Sequence, residues 1–107
     1  MTGAFGDMGN LLSQAQEMDR RVREALEELG EARVEGSAGG GVVGVTVDGL
    51  GQIQHVQISD EALRASDREG IEDLVLAATR DAQARAKRER IERLTQVTGG
   101  VQLPWFS

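Results

Sequence analysis

The side chains in this sequence that could do chemistry are mainly arginines. Eleven of its 12 basic residues are Arg, whose guanidinium group presents paired N–H donors that fit a phosphate. Between residues 80 and 93, six basic residues stand against three acidic ones, so this segment carries +3 although the whole chain carries −6. Salt confines the field of a charge to about 10 Å, so a basic segment of an acidic protein can still bind a polyanion. The first candidates for phosphate contacts are Arg80, Arg85, Lys87, Arg88, Arg90 and Arg93.

A second basic group, closer to the N-terminus, has two interpretations. Arg20, Arg21 and Arg23 could also contact phosphate and are secondary candidates. However, Glu17 lies four residues before Arg21 and Glu24 four residues after Arg20, which is the spacing of ion pairs on one helix face. A solvated helix surface is the alternative interpretation for both basic groups.

Few other side chains are available for catalysis or for ligand binding. The sequence has no Cys, no Tyr and one His, which excludes disulfides, thiolate metal sites and cysteine catalysis and argues against an enzyme. His55 lies in a predicted strand without a second His or a carboxylate at ligand spacing, so no metal site is expected. Residues 39–44 (GGGVVG) have the glycine spacing of a dinucleotide-binding loop. Because a strand rather than a helix follows them, no nucleotide, cofactor or small-molecule substrate is expected.

The first element that must position these residues is a helix predicted over residues 10–30, with Asn10 as its N-cap and Gly30 as its end. Residues 1–9 contain three glycines and are predicted to be a flexible lead-in. The apolar residues of the helix recur at intervals of four and three, which is the heptad spacing of a helix–helix seam. Because such a seam needs a partner, we expect a homodimer. The residues assigned to the dimer interface are Leu11, Ala15, Met18, Val22 and Leu29.

Residues 32–58 change to the period of two that is typical of strands. Three valines alternate with small or polar residues between positions 43 and 47, and the sequence DGLG at 48–51 allows a tight hairpin. A three-stranded antiparallel meander is therefore predicted. In its third strand, Ile53 is expected on the face opposite to that of Val56.

A second, long helix is predicted over residues 66–98, opened by a capping box from Ser66 to Glu69. At 1.5 Å per residue its length is about 48 Å, whereas a compact domain of this size is about 35 Å across. The middle of the helix lacks large apolar residues, so we expect the helix to protrude there. The tail, residues 99–107, contains the only tryptophan and is expected to dock on a core or on a partner subunit.

The whole chain, residues 1–107, is interpreted as a single α+β domain. Its longest apolar run is the five residues at 74–78, far short of the roughly 18 that a membrane-spanning helix needs. The N-terminus has neither the basic residues nor the apolar block of a secretory signal. We therefore expect a cytoplasmic protein with no membrane partner.

Short motifs follow one another along nearly the whole chain. The opening helix contains MGNLL at 8–12, QAQ at 14–16 and Met18. The most distinctive stretch is EGSAGGGVV at 35–43, followed by VTVDG at 45–49. Further motifs are DLV at 73–75, AA at 77–78, LT at 94–95, TGG at 98–100 and LP at 103–104. In this order the motifs resemble the YbaB/EbfC family of nucleoid-associated proteins.

The resemblance implies a protomer with an N-terminal helix, a three-stranded antiparallel sheet and a long C-terminal helix. It also implies a homodimer whose long helices project like tweezers from a joined sheet and which binds double-stranded DNA. The helices at both ends of the chain would contact the DNA. Such a protein would act at the bacterial nucleoid and contribute to nucleoid organisation and gene regulation.

Two functions are compatible with the residues. In the first, the protein is a homodimer that binds double-stranded DNA, and arginines on protruding helices neutralise phosphates without an evident base-reading module. In the alternative, it is a dimeric protein-interaction adaptor that does not bind DNA directly, and its basic helix is simply solvated.

Overall fold

A computed structural model describes residues 3–100 of the chain, with side chains from residue 7 onward. The elements follow the predicted order of a helix, a three-stranded antiparallel sheet and a long helix, with a short additional helix before the last one. The α+β prediction for the protomer is thus confirmed. The elements are α1 (Gly3–Glu31), β1 (Arg33–Ala38), a 3₁₀ turn (Gly39–Gly41), β2 (Val43–Asp48), β3 (Ile53–Ile58), α2 (Asp60–Ala65) and α3 (Arg68–Val97).

The sheet has the order β1-β2-β3, and the alternating valines of β2 lie at the centre of its buried face. Val45 of β2 is paired with Val56 of β3, and Val47 is paired with Ile53. A bulge at Thr46/Val47 shifts the register between these two pairs. An extra residue in one strand moves the following side chains to the other face. The prediction for Ile53 was therefore wrong, because the bulge places it on the same face as Val56.

The middle of α3 packs against β1 and β2. Ala78, Ala82 and Ala86 are fully buried there, together with the sheet valines. The approach is close because Gly36 of β1 has no side chain: a Cβ atom at Gly36 would lie 2.2 Å from the backbone nitrogen of Ala82. The expectation that this part of α3 protrudes was wrong. Alanine is large enough to fill the core where a glycine lets the backbones come this close.

The helix α1 begins at Gly3, seven residues before the predicted start. Asn10 is inside the helix and does not cap it, and the lead-in prediction is wrong for residues 3–9. A glycine inside a helix lowers its stability by only about 1 kcal/mol relative to alanine. This cost weakens the helix but does not end it. At the other end, α1 continues through Gly30 to Glu31.

The two halves of α1 have different surroundings. In the C-terminal half, Ala25 and Leu29 form a buried cluster with Leu94 of α3, and Val22 packs against it. In the N-terminal half, residues 7–16 are all exposed. The molecule measures 78 × 20 × 16 Å along its principal axes. The projecting element is thus the N-terminal half of α1, not the middle of α3.

Each of the two C-terminal helices is capped by the side chain of the residue that precedes it. Ser59 caps α2 by accepting a hydrogen bond from the Ala62 amide at 3.1 Å, and Asp67 caps α3 by accepting one from the Gly70 amide at 2.7 Å. The predicted capping box was therefore displaced by one residue, because Ser66 ends α2. The expected docking of the tail concerns residues 101–107, which lie outside the described residues.

Candidate nucleic-acid interface

The basic segment of α3 is held against the sheet by its alanine face. A residue two or five positions from Ala82 lies about 160° or 140° around a helix of 3.6 residues per turn. Arg80 and Lys87 occupy these positions, so they point away from the sheet, and both are exposed. Arg88 is next to Lys87 and is also exposed. We call Arg80, Lys87 and Arg88 the outer ridge of α3.

The outer ridge forms no ion pairs among the described residues, although Arg88 lies near enough to Asp81 to help lower the pKa of that carboxyl. Between residues 7 and 100, no carboxylate lies within ion-pair distance of these three side chains. They are also not engaged as hydrogen-bond donors to the described part of the chain. The ridge is therefore a row of cationic side chains on a helix that is packed against the sheet. The N–H donors of these side chains face solvent, which is the arrangement needed for phosphate contacts.

Arg85 lies on the flank of α3 and donates hydrogen bonds to a carboxylate that also holds α3 to the sheet. Its Nε donates to both carboxylate oxygens of Asp81 at 3.2 Å. Asp81 also accepts a hydrogen bond from the Ser37 amide at 3.0 Å, which fastens α3 to the edge of β1. The Ser37 amide lowers the pKa of Asp81, and Arg85 lowers this pKa further. The structure thus gives Arg85 a fold-stabilising partner that the ridge residues lack.

Arg90 and Arg93 are directed toward other elements of the chain. Arg90 is half-buried, and its Nη1 donates to the carbonyl oxygen of Gly49, in the loop between β2 and β3, at 3.2 Å. Arg93 is half-buried and forms an ion pair with Glu28 of α1. Both residues link α3 to its neighbours. Their assignment as phosphate contacts stays a prediction, and it would require these links to break.

The arginines of α1 are all ion-paired along the helix. Arg20 contacts Glu17 and Glu24 at 2.5 Å each, and Arg21 contacts Glu17 at 3.1 Å. Arg23 contacts Asp19 at 2.9 Å. The hydrogen bond from Arg20, followed by the one from Arg21, lowers the pKa of Glu17 from 4.5 to about 2. Three acids balance three arginines between residues 17 and 24, so this segment has no net charge to offer a polyanion.

Two surface features were not predicted from the sequence. Arg33 of β1 lines a shallow groove with Arg85 and Arg88, where acidic residues also occur: Glu35, Glu89 and Glu92. The opposed charges make this groove a surface with both acidic and basic side chains.

The second feature is an exposed apolar strip on β3, which the bulge creates. We call it the β3 strip, and it consists of Ile53, Val56 and Ile58.

The structure also shows where the other residues considered for ligand binding lie. His55 is exposed on β3, and no group of three His, Asp or Glu side chains between residues 7 and 100 could hold a metal ion. The glycines Gly39–Gly41 lead into strand β2, not into a helix, as expected. None of the described helices is long and apolar enough to span a membrane.

Comparison with known families agrees with the arrangement of the elements. The model of the YbaB/EbfC DNA-binding family matches residues 5–101. The chain belongs to the YbaB/EbfC family. This confirms the resemblance drawn from the motifs, and the family is one of nucleoid-associated DNA-binding proteins.

A solved structure supports the family fold. The chain is similar to the uncharacterized protein HP0035 from Helicobacter pylori, with a TM-score of 0.71 and 25% sequence identity. The similarity covers 89% of this chain and 97% of that one. The two YbaB/EbfC-like folds therefore correspond over almost their full length.

Proposed function

We propose that this YbaB/EbfC protein is a homodimer that binds double-stranded DNA through the outer ridge of α3. The observation that carries the proposal is that Arg80, Lys87 and Arg88 form no ion pair between residues 7 and 100, on a helix that is packed against the sheet. Cations that are held in place and free of ion pairs can neutralise phosphates without first breaking internal contacts. Arg85 and Arg33 flank the ridge and would extend the contact.

The proposed mechanism is phosphate neutralisation, not base reading. Lys and Arg contacts to phosphate position a protein on the duplex but carry no sequence information. The ridge follows one face of α3, and the packing of α3 against the sheet fixes the direction in which that face points. Binding should therefore be similar for unrelated DNA sequences, which suits a role in nucleoid organisation and, through occupancy of DNA, in gene regulation. Such a role places the protein at the nucleoid in the cytoplasm.

A dimer would present two ridges, and β3 offers the surface for its assembly. β3 is an edge of the sheet and has no strand partner on its outer side among the described residues. Its apolar strip lies on the sheet face that carries α3, but α3 packs mainly on β1 and β2 and leaves the strip exposed. An unpaired edge with an apolar face is a ready template for another strand. We therefore place the contact with a second copy at β3.

Two residues of the expected dimer interface already have partners within the chain. Val22 and Leu29 already have apolar partners in α3 of the same chain, which removes the reason for placing them in a dimer interface. Leu11, Ala15 and Met18 are exposed and have no partner in either core cluster. These three residues are therefore available for a contact with another protein.

A salt titration tests the DNA proposal. The affinity of the protein for a duplex of arbitrary sequence should be measured by fluorescence anisotropy between about 50 and 300 mM salt. Three ridge cations in each protomer allow about six phosphate contacts in a dimer, so the log–log slope should be near −5, at about −0.9 per contact. A second duplex of unrelated sequence serves as the control and should give the same slope. No binding at 50 mM salt would contradict the proposal and favour the adaptor.

Sedimentation tests the dimer at β3. The protein should sediment at about twice the chain mass of 11.5 kDa. Val56→Arg places a charge in the strip and should produce monomers, because an unpaired charge is costly in an apolar interface. Gln57→Arg is the matched control, since Gln57 is the next residue and lies on the opposite face of the strand. A Val56→Arg variant that stays dimeric would exclude β3 as the interface.

A further inference from the structure

The projecting half of α1 carries an apolar stripe with no assigned role. Met8, Leu11, Ala15 and Met18 recur at intervals of three and four, and we call them the tip stripe. Met8 and Leu11 are 66% and 65% exposed, and Met18 is 38% exposed. The only charged residues between 7 and 18 are Asp7 and Glu17, so this part of the helix is not suited to contact DNA.

The tip stripe is one part of a longer seam. The same heptad spacing continues through Val22, Ala25 and Leu29, where α3 covers it with a cluster around Leu94. α3 ends at Val97, which packs against that cluster. On the N-terminal side of Val22, the seam therefore continues without a partner helix among the described residues. The covered part shows what kind of surface fits the rest, namely the apolar side of another helix.

We propose that the tip stripe binds the tip stripe of a second copy in antiparallel orientation and so joins two dimers. The inference goes beyond the proposed function and rests on it in one respect, because it assumes that β3 forms the dimer itself. The occupant is a second copy, since the stripe is complementary to its own antiparallel image. In heptad terms Met8 and Ala15 are a positions, and Leu11 and Met18 are d positions. An antiparallel pair layers each a against a d.

The flanking positions support this orientation. In an antiparallel pair, g positions of the two helices face each other, and Asp7 and Arg21 both occupy g. Each end of the contact would therefore bring the acid of one copy to the arginine of the other, and Arg21 would be shared between this acid and Glu17 of its own helix. Gln14, the g position between them, would meet Gln14 of the second copy. Leu12 occupies e and adds apolar area on the other flank.

The contact is small, which determines when it forms. Stable interfaces use about 20–30 residues on each side, whereas the tip stripe and Leu12 supply five. We therefore expect association only at high local concentration, such as that of dimers crowded on one DNA molecule. Its effect would be to link DNA-bound dimers and hold separate duplex segments together.

The test is sedimentation velocity of the full chain over a range from about 1 to 500 µM. The wild type should show a dimer at low concentration and a boundary that shifts to larger species as concentration rises. Leu11→Glu with Met18→Glu should remove the shift and leave the dimer. The matched control is Asn10→Glu with Gln16→Glu, which adds the same charge to α1 outside the stripe and should retain the shift. Circular dichroism shows whether each variant keeps its helix content.

The orientation has its own test. Arg21→Asp should weaken the association by placing acids opposite each other, and the double variant Asp7→Arg with Arg21→Asp should restore it. A parallel contact would show no such rescue and would overturn the proposed orientation.

Three outcomes would overturn the inference. The first is a wild type that stays dimeric at the highest concentration. The second is a Leu11→Glu, Met18→Glu variant that becomes monomeric, because the stripe would then be the primary dimer interface. The third is a change in the emission of Trp105 in that variant at concentrations where only dimers exist, because the stripe would then be covered by the chain's own C-terminal segment. DNA affinity measured at low protein concentration stays separate from all three and tests only the proposed function.

Discussion

The two arginine-rich regions of this protein differ in what their charges are doing. On α1, Arg20, Arg21 and Arg23 are held by acids within one helical turn. On α3, no side chain of the outer ridge forms an ion pair between residues 7 and 100, although Arg88 acts on Asp81 at longer range. Both regions are exposed helix surfaces that are rich in the same residue type. The number of arginines therefore does not distinguish the two regions, whereas their pairing does, and the proposed DNA contact rests on this difference in pairing.

The difference is already present in the spacing of the sequence. Arg20 has an acid three residues before it and another four residues after it. Arg80 and Lys87 have only uncharged or basic residues at the positions three and four away. Because side chains at these spacings are neighbours on a helix, the pairing on α1 and the free charge of the ridge follow from local sequence. Arg88 is intermediate, since Glu92 lies four residues after it.

The largest effect is expected where the ridge is attached to the sheet. Gly36→Val would drive a side chain into the backbone of Ala82, to which even a Cβ would be only 2.2 Å away. Neither backbone can yield without separating α3 from the sheet, so we expect a loss of about 3 kcal/mol or more in the free energy of unfolding. Urea denaturation at fixed protein concentration measures the loss. The outer ridge should lose its DNA affinity together with the fold.

Gly44→Ala is the matched control for this prediction. A Cβ at Gly44 would be 3.8 Å from the nearest atom, the carbonyl oxygen of Gly36, which is an ordinary contact distance. We expect a change of less than about 1 kcal/mol in this variant. If Gly36→Val were equally mild, α3 would not be seated as closely as described, and the ridge would lack its rigid support.

The second prediction compares the two regions directly. Changing Arg80, Lys87 and Arg88 to Gln should reduce DNA affinity about 100-fold at 100 mM salt and lower the log–log salt slope by about 5, because six contacts are lost from a dimer. Changing Arg20, Arg21 and Arg23 to Gln removes the same charge but should reduce affinity less than about threefold. Equal losses in the two variants would contradict the distinction between paired and free arginines.

Much of the fold could be predicted from the sequence because its periodicities are local. The alternation of Val43, Val45 and Val47 and the heptad spacing of α1 led to the correct order of elements. The close packing of α3 against the sheet could not be predicted in this way. The four-residue spacing of Ala78, Ala82 and Ala86 is visible, but small side chains form a core only where another backbone comes close, and that depends on Gly36, far away in sequence.

The same division between local and distant information holds for the candidate site. The pairing of the α1 arginines was offered as an alternative from the spacing, and the structure supports it. The partners of Arg90 and Arg93 are 41 and 65 residues away in the chain, so no local pattern could indicate them. The β3 strip depends on one bulge, which alternation alone does not predict.

The smallest effect concerns Glu17, whose titration reports whether the α1 arginines are engaged. Its pKa of about 2, against an ordinary 4.5, is caused first by Arg20 and then by Arg21. Since the folded-state pKa is lowered, the stabilisation is fully present above pH 4.5 and is lost as the pH falls toward 2. Glu17 is exposed to solvent, so this loss should be hard to detect in global unfolding. The direct measurement is an NMR titration of its carboxyl carbon.

Two variants make this titration decisive for the comparison of the two regions. Arg20→Gln removes the principal hydrogen bond to Glu17, so the pKa of Glu17 should rise toward 4.5. Arg23→Gln is the control, because Arg23 is bound to Asp19 and the pKa of Glu17 should stay near 2. If Glu17 titrated near 4.5 in the wild-type protein, Arg20 and Arg21 would not be held by Glu17 in the way that the structure shows. The segment would still be electrically neutral, and only this neutrality would then separate it from α3 as a surface for DNA.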